Sequence, residues 1–215
     1  MIFHKTGTKF NLGVRLADKI NKWVTDYPYP LTVHIGSDGD PFASYVYRHF
    51  MQTVPRKPDL RYSVLTNGLM FEEFHGKIPH VIHNLDKLSV SIDGASKDTY
   101  EQLRLGGKWE KINANLQAMA ELKTRHKFSF RFHMVVQQDN WWEMEQMIGL
   151  AEKYQVDQVY FNKIQDWNTA LDHTKQTFTD IDQFKKMLHR VHNRPEKFDK
   201  ESKYLVKGFG DFSNL

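Results

Sequence analysis

Leu31-Thr32-Val33-His34-Ile35-Gly36-Ser37-Asp38-Gly39-Asp40-Pro41 begins as five residues alternating between apolar and polar and ends in a turn of glycine, acid and proline. Alternation with a period of two marks a β-strand with one face in a core. The glycines and proline that follow end it. A second stretch repeats the design: Lys87–Ile92 reads as a strand and runs into Ser91-Ile92-Asp93-Gly94. Further strand-like runs lie at Arg61–Thr66, Phe128–Gln137 and Gln158–Lys163. Helical periodicity separates them, at Ala43–Val54, Met70–Ile78, Lys97–Leu103, Trp109–Arg125 and Trp141–Tyr154. Another helix, Leu12–Thr25, precedes the first strand, with Leu12, Leu16, Ile20 and Trp23 or Val24 on its expected core face, and Asp180–His192 follows the last strand. A strand–helix series of this kind predicts parallel strands joined by same-handed crossovers.

Four of the five strands sort their side chains onto two faces. Leu31, Val33, Ile35, Leu88, Val90, Ile92, Phe130, Phe132, Met134, Val136, Val159 and Phe161 fall on one. His34, Ser89, Ser91, Asp93, Arg131, His133, Gln137, Tyr160 and Asn162 fall on the other, while Arg61–Thr66 is mixed. A parallel sheet covered on both faces would instead show continuous apolar runs. The expectation is an α/β partial barrel of about five parallel strands, with helices on the outer face and a polar inner one. Its ligands would sit at the carboxyl ends of the strands.

The 215 residues contain 40% hydrophobic and 26% charged side chains, within the range of one ordinary globular domain. No apolar run approaches the about eighteen residues of a membrane-spanning helix, so no membrane association is expected. The first residues also lack the apolar segment of a signal peptide. The net charge is +4, but Lys and Arg are interspersed with Asp and Glu, which favours a solvated surface over a nucleic-acid partner. There is no cysteine. That excludes disulfides and cysteine-ligated zinc, and it fits a cytoplasmic protein.

In order and spacing the strand ends resemble the partial (β/α) barrel of radical S-adenosylmethionine (radical SAM) enzymes, over about Leu12 to Trp167. The resemblance is to the branch that often carries a C-terminal SPASM-type auxiliary-cluster domain. Gly39-Asp40-Pro41 matches the family's Gly-Gly-Glu-Pro-like turn, implying that Asp40 meets the cofactor's amino group. Thr66-Asn67-Gly68 matches a strand-end Thr-Asn-Gly. Ser91 and Asp93 match a position that contacts the ribose or methionyl part, and Arg104 matches an arginine that pairs with the cofactor carboxylate. Gln137 and Asn140 sit where polar groups approach the cofactor. The implied cofactors are S-adenosylmethionine and a [4Fe–4S] cluster, but the family's Cys-x-x-x-Cys-x-x-Cys loop has no counterpart in this cysteine-free chain. Cluster ligation needs soft thiolates.

The resemblance therefore implies a barrel (12–193) without its first strand and cluster loop, with an N-terminal extension (1–11) and a C-terminal tail (194–215). Radical chemistry would need a partner polypeptide supplying the cluster loop, docked along the strand Leu31–Ile35. A cluster-free pseudoenzyme or binding module is the alternative. A third reading is a metal-dependent barrel hydrolase using His34, Asp93 and His133, three candidate ligands on one strand face.

Each motif also has a plain structural reading. The turn at Asp40 can be a capped strand-to-helix connection in which Pro41 starts the helix, Ser96 can cap the helix after Gly94, and Arg104 can close a helix that stops at Gly106-Gly107.

Overall fold

A computed structural model describes residues 8–36, 39–164 and 178–192. Five strands, β1 (Leu31–Ile35), β2 (Leu60–Thr66), β3 (Leu85–Ser91), β4 (Ser129–Val136) and β5 (Gln158–Lys163), form one parallel sheet in sequential order. The expected architecture is the one observed. With sequential order, crossovers of one hand place every connecting helix on the same side of the sheet. Burial alternates accordingly. Phe130, Phe132, Met134, Val136, Val159 and Phe161 are fully buried, while Arg131, His133 and Tyr160 are half-buried and His34 is exposed.

β2, mixed in sequence, alternates cleanly in the structure: Leu60, Tyr62, Val64 and Thr66 are buried. A bulge in the β2–β3 pairing sets Tyr62 against Leu85 and Ser63 against Lys87, leaving Asp86 as an extra residue. That one-residue shift lets both Leu85 and Leu88 reach the core.

The helices are α1 (Thr8–Asp26), α2 (Tyr45–Thr53), α3 (Phe71–Phe74), α4 (Pro79–His83), α5 (Lys97–Leu103), α6 (Trp109–Arg125), α7 (Met144–Lys153) and α8 (Ile181–His192). α5 and α6 have the expected bounds. The single helix expected over Met70–Ile78 is instead α3, a 3-10 turn at His75–Lys77 and α4, which starts on Pro79. Proline suits a first helical position because its missing N–H would have no partner there. α2 starts at Tyr45 on a Ser44 cap, so Pro41 lies in the preceding turn and does not begin the helix. α1 begins at Thr8, inside the stretch assigned to an N-terminal extension. The expected tail, 194–215, lies outside the described residues.

Of the face expected to meet the core, α1 buries only Val24. Ala17, Asn21 and Val24 are buried, whereas Leu12, Leu16, Ile20 and Trp23 are 40–58% exposed. The small stripe wins because it lets α1 approach α2 closely: a Cβ on Gly13 would stand 2.8 Å from Val46. Asn21 Nδ2 donates to Thr53 Oγ1 (2.6 Å) and to the Phe50 carbonyl (3.3 Å) across that interface. α8 docks through Phe184, which stacks on Phe178 and meets the edge of Trp141.

Candidate functional site

The turn after β1 is built around one carboxylate. Asp40 Oδ1 accepts from the backbone N–H groups of Phe42 (2.9 Å) and Ala43 (3.1 Å). Oδ2 accepts from the Thr66 hydroxyl and the Asn67 N–H, both at 2.6 Å. A carboxylate offers about four acceptor sites, and here four protein donors engage them. Asp40 thus closes its own turn and ties it to the end of β2. An ammonium arriving at Asp40 has to share it with these donors. Thr66 Oγ1 also accepts from the Gly68 N–H, and Asn67 Oδ1 accepts from the Leu69 N–H, so both shape the second turn. Gly36 has φ 103°, and a Cβ there would fall 2.0 Å from the Leu65 carbonyl oxygen; only glycine lets these two strand ends lie together. Gly39 is exposed and Pro41 buried. Ser37 and Asp38 lie outside the described residues, as do Gln165–Trp167.

A second constellation forms past the end of β3. Asp93 Oδ1 accepts from the Val135 N–H at 2.9 Å, and Oδ2 lies 2.7 Å from Arg104 Nε. The pair is mostly buried, with Asp93 14% and Arg104 26% exposed. Its alignment is poor, so Arg104 Nε is buried without a formed hydrogen bond. Arg104 is also the residue that closes α5, its N–H bonded to the Tyr100 carbonyl, so its plain reading and its site reading hold together. Asn140, fully buried, donates to the Asp93 and Val135 carbonyls (2.9 and 2.8 Å) and accepts from the Gln137 N–H (2.8 Å). Its amide is therefore spent on holding the β3 and β4 ends together.

Glu143 carries no signal in the sequence and proves to be as heavily engaged as Asp40. It is 3% exposed. It accepts from the Ala95 N–H (2.6 Å), the Ser96 N–H (3.2 Å) and the hydroxyls of Ser96 (2.5 Å) and Thr99 (2.7 Å). Four donors at the start of α5, together with the positive end of that helix, hold the buried charge. Ser96 still caps α5 as expected, accepting from the Thr99 N–H. A Cβ on Gly94 would come within 2.4 Å of Tyr100 N, so this turn and α5 are in direct backbone contact. Burial pushes the Tyr100 hydroxyl up to about 12.

On the polar face, Ser91 is paired in register with His133, and His133 with Tyr160. The His133 ring stacks on Tyr160 at 4.8 Å, and the Arg131 guanidinium lies 5.6 Å from the same ring centre. Burial, and then the Arg131 charge, hold His133 below the ordinary histidine range. Arg131 and Tyr160 were sorted to this face by alternation, but nothing in the sequence pointed to their stacking. The Ser91 hydroxyl and the Gln137 carboxamide make no hydrogen bond with the described residues, although Gln137 is only 8% exposed. The mouth of the sheet therefore holds two kinds of group. Asp40, Thr66, Asn140 and Glu143 are committed to architecture. Ser91, Gln137 and the outer guanidinium nitrogens of Arg104 keep unspent hydrogen-bonding capacity among the described residues.

Among the described residues no three His, Asp or Glu side chains gather as a metal site. His34, Asp93 and His133 do not form one: Asp93 is turned to Val135 and Arg104, and His133 to Tyr160. The residues of this chain also do not fit an iron–sulfur cluster, since none is a cysteine. No described helix is long and apolar enough to cross a membrane.

No protein-family model matches the sequence, and no similar sequence is found among curated proteins. Solved structures do match. Streptococcus suis SuiB bound to S-adenosylmethionine superposes with a TM-score of 0.58 at 10% identity, covering 86% of this chain and 42% of SuiB. SuiB on its own gives 0.58 at 10% identity, covering 86% and 41%. SuiB bound to the precursor peptide SuiA gives 0.56 at 10% identity, covering 81% and 38%. The chain spans about two fifths of the length of these proteins and shares the fold of the part it matches.

Proposed function

We propose that the chain binds S-adenosylmethionine across the carboxyl ends of β2–β4, and that it serves a radical enzyme whose cluster thiolates come from residues other than these 215. The observation that carries this reading is the pairing of committed and unspent polar groups at one mouth. Four residues lock the turns, while the side chains of Ser91 and Gln137 and the outer guanidinium nitrogens of Arg104 form no hydrogen bond with the described residues. The fold likeness to a structure bound to S-adenosylmethionine supports the choice of ligand.

In this reading Arg104 takes the cofactor carboxylate, with Asp93 holding the guanidinium in place. Ser91 and Gln137 take hydroxyl or amide partners on the ribose or methionyl part. Asp40, Thr66 and Asn67 hold the turn that the ammonium approaches. When a reducing cluster is present the cofactor supplies a carbon-centred radical; this chain's own part is to bind, orient and exclude water.

Two surfaces suit a polypeptide that brings the thiolates. Among the described residues β1 pairs with β2 alone, which leaves its other backbone edge for a further strand. α1, packed on α2, exposes Leu12, Leu16, Ile20 and Trp23, apolar surface that such a segment could cover. The absence of cysteine equally supports a second reading, a binding module without radical chemistry.

Isothermal titration of S-adenosylmethionine into the purified chain tests the proposal. Saturable one-to-one binding is expected, weakened at least about tenfold by Arg104→Ala, roughly the value of one charge-assisted contact. Ser91→Ala, which breaks no bond in the protein, should weaken it less. No binding to a chain with a cooperative unfolding transition overturns the reading. Binding that persists while no cysteine-bearing partner restores cofactor cleavage favours the module.

A further inference from the structure

At the opposite end of the sheet, where the strands begin, the structure carries a cavity of about 410 Å³ lined by Arg56, Lys57, Pro58, Arg61, His83, Asn84, Leu85 and Lys127. These residues come from separate pieces of chain: the α2–β2 connection, β2 itself, the end of α4 with the start of β3, and the α6–β4 connection. Arg56, Arg61, Lys127 and His83 bring basic side chains to it, the Lys57 ammonium being turned to the end of α1, and no carboxylate of the described residues lines the space. None of the ion pairs of the described residues involves Arg56, Lys57, Arg61, His83 or Lys127. Asp86 lines the neighbouring depression but pairs with Lys87 at 3.5 Å.

The walls are also braced. Asn84 is 8% exposed and donates to the Lys57 carbonyl at 2.7 Å, while Leu60 N–H donates to the same oxygen. Lys57 Nζ is tied to the carbonyls of Val24 and Tyr27 at the end of α1. Arg61 Nη1 donates to the Pro58 and Leu60 carbonyls (2.6 and 3.2 Å), which orients its guanidinium and leaves Nη2 and Nε without a partner among the described residues. Arg56, Arg61, His83 and Lys127 are exposed, so solvent screens their mutual repulsion, and an arriving anion meets them without first breaking an ion pair of the described residues. The cavity volume falls in the range of small-molecule sites.

We propose that this cavity is an oligophosphate-binding site, independent of the mouth at the other end of the sheet. Arg56 and Arg61 supply planar donors to phosphate oxygens, and Lys127 and His83 complete the positive rim. A phosphate chain can come as an inorganic polyphosphate or as part of a nucleotide, and both share this chemistry.

The test is isothermal titration of inorganic tripolyphosphate, and separately of ATP, into the full chain at low and physiological salt. Saturable one-to-one binding is expected. It should weaken at least about tenfold in Arg56→Gln/Arg61→Gln, since each lost charge-assisted pair contributes roughly that much. It should be unchanged in Lys185→Gln/Lys186→Gln, which alters an unrelated basic face on α8. Tighter binding of ATP than tripolyphosphate assigns the site to a nucleotide, and equal binding to the phosphate chain alone. No saturable binding at low salt, or equal weakening by both double variants, overturns the proposal. Each variant's urea midpoint confirms that it is folded.

Discussion

The Asp40 carboxylate accepts the Thr66 hydroxyl at 2.6 Å, a bond between residues 26 positions apart that joins the turn after β1 to the end of β2. The same carboxylate caps its own turn, so one side chain fixes the spacing of two strand ends. Whatever binds at the mouth of the sheet meets a frame set by this contact.

Asp40→Ala removes the acceptor for four donors at once. Individual bonds to a charged group contribute about 1.5–3 kcal/mol, are not additive, and are weakened here by partial exposure. The expected loss is about 3 kcal/mol, read from urea unfolding. Asp40→Asn, which keeps one acceptor oxygen, should recover part of it. A change below about 0.5 kcal/mol in Asp40→Ala would show that the turn holds without its clamp.

Glu143 offers a graded test. Glu143→Ala leaves two backbone N–H groups and two hydroxyls at the start of α5 without their acceptor and should cost about 3–4 kcal/mol. Glu143→Gln can keep its oxygen on the Ala95 and Ser96 N–H groups while its amide donates to the hydroxyls, which can also accept. That variant should cost roughly a third as much. Equal losses in the two variants would mean that the charge, and not the hydrogen-bond pattern, holds α5.

His133 makes stability depend on pH in a definite direction. Its folded-state pKa is depressed, by burial first and Arg131 second, so the unfolded chain takes up the proton earlier as pH falls. Its contribution is complete above the ordinary histidine value of about 6.5 and declines as pH drops through that value toward the folded one. Below the folded pKa the loss levels off. His133→Phe should flatten that part of the profile, seen as a smaller difference between urea midpoints at about pH 7.5 and about pH 5.5 than in the parent chain. An unchanged difference would show that the ring is not held neutral by its surroundings.

The two stripes of α1 should respond oppositely to polar substitution. Leu16→Gln and Trp23→Gln alter exposed side chains and should change the stability of the isolated chain by no more than about 0.5 kcal/mol. Ala17→Gln forces a long side chain into the contact with α2 and should cost about 2 kcal/mol or more. Thermal or urea unfolding of the three variants decides which face is inside.

β1 and β5 were legible to the residue, as were α5 and α6, because each is a short run whose own periodicity and flanking turn residues mark its ends. The strand-end positions of Ser91, Asp93 and Gln137 were legible for the same reason. Alternation places a residue on a face and a turn places it at an end. The break between α3 and α4 is not legible, although Gly76 and Pro79 stand in the sequence, because an apolar helical pattern runs through it. The inner face of α1 is legible only at Val24, because a stripe of large apolar residues outweighs one of Gly13, Ala17 and Asn21 in any local reading. The small stripe gains only when α2 lies against it.

Sequence alone determined the strand–helix alternation, the polarity of the two sheet faces and the absence of any thiolate. These depend on neighbours two to four positions apart, or on composition. Tertiary structure decided which polar groups are spent and which remain available. Asp40 meets Thr66 and Glu143 meets Ser96 and Thr99 only once the sheet has brought its strand ends together, and the cations at Arg56, Arg61 and Lys127 share a cavity only when three connections converge beneath it. A carboxylate's role depends on what closes around it, and over separations of 26 to 48 residues no local pattern records that.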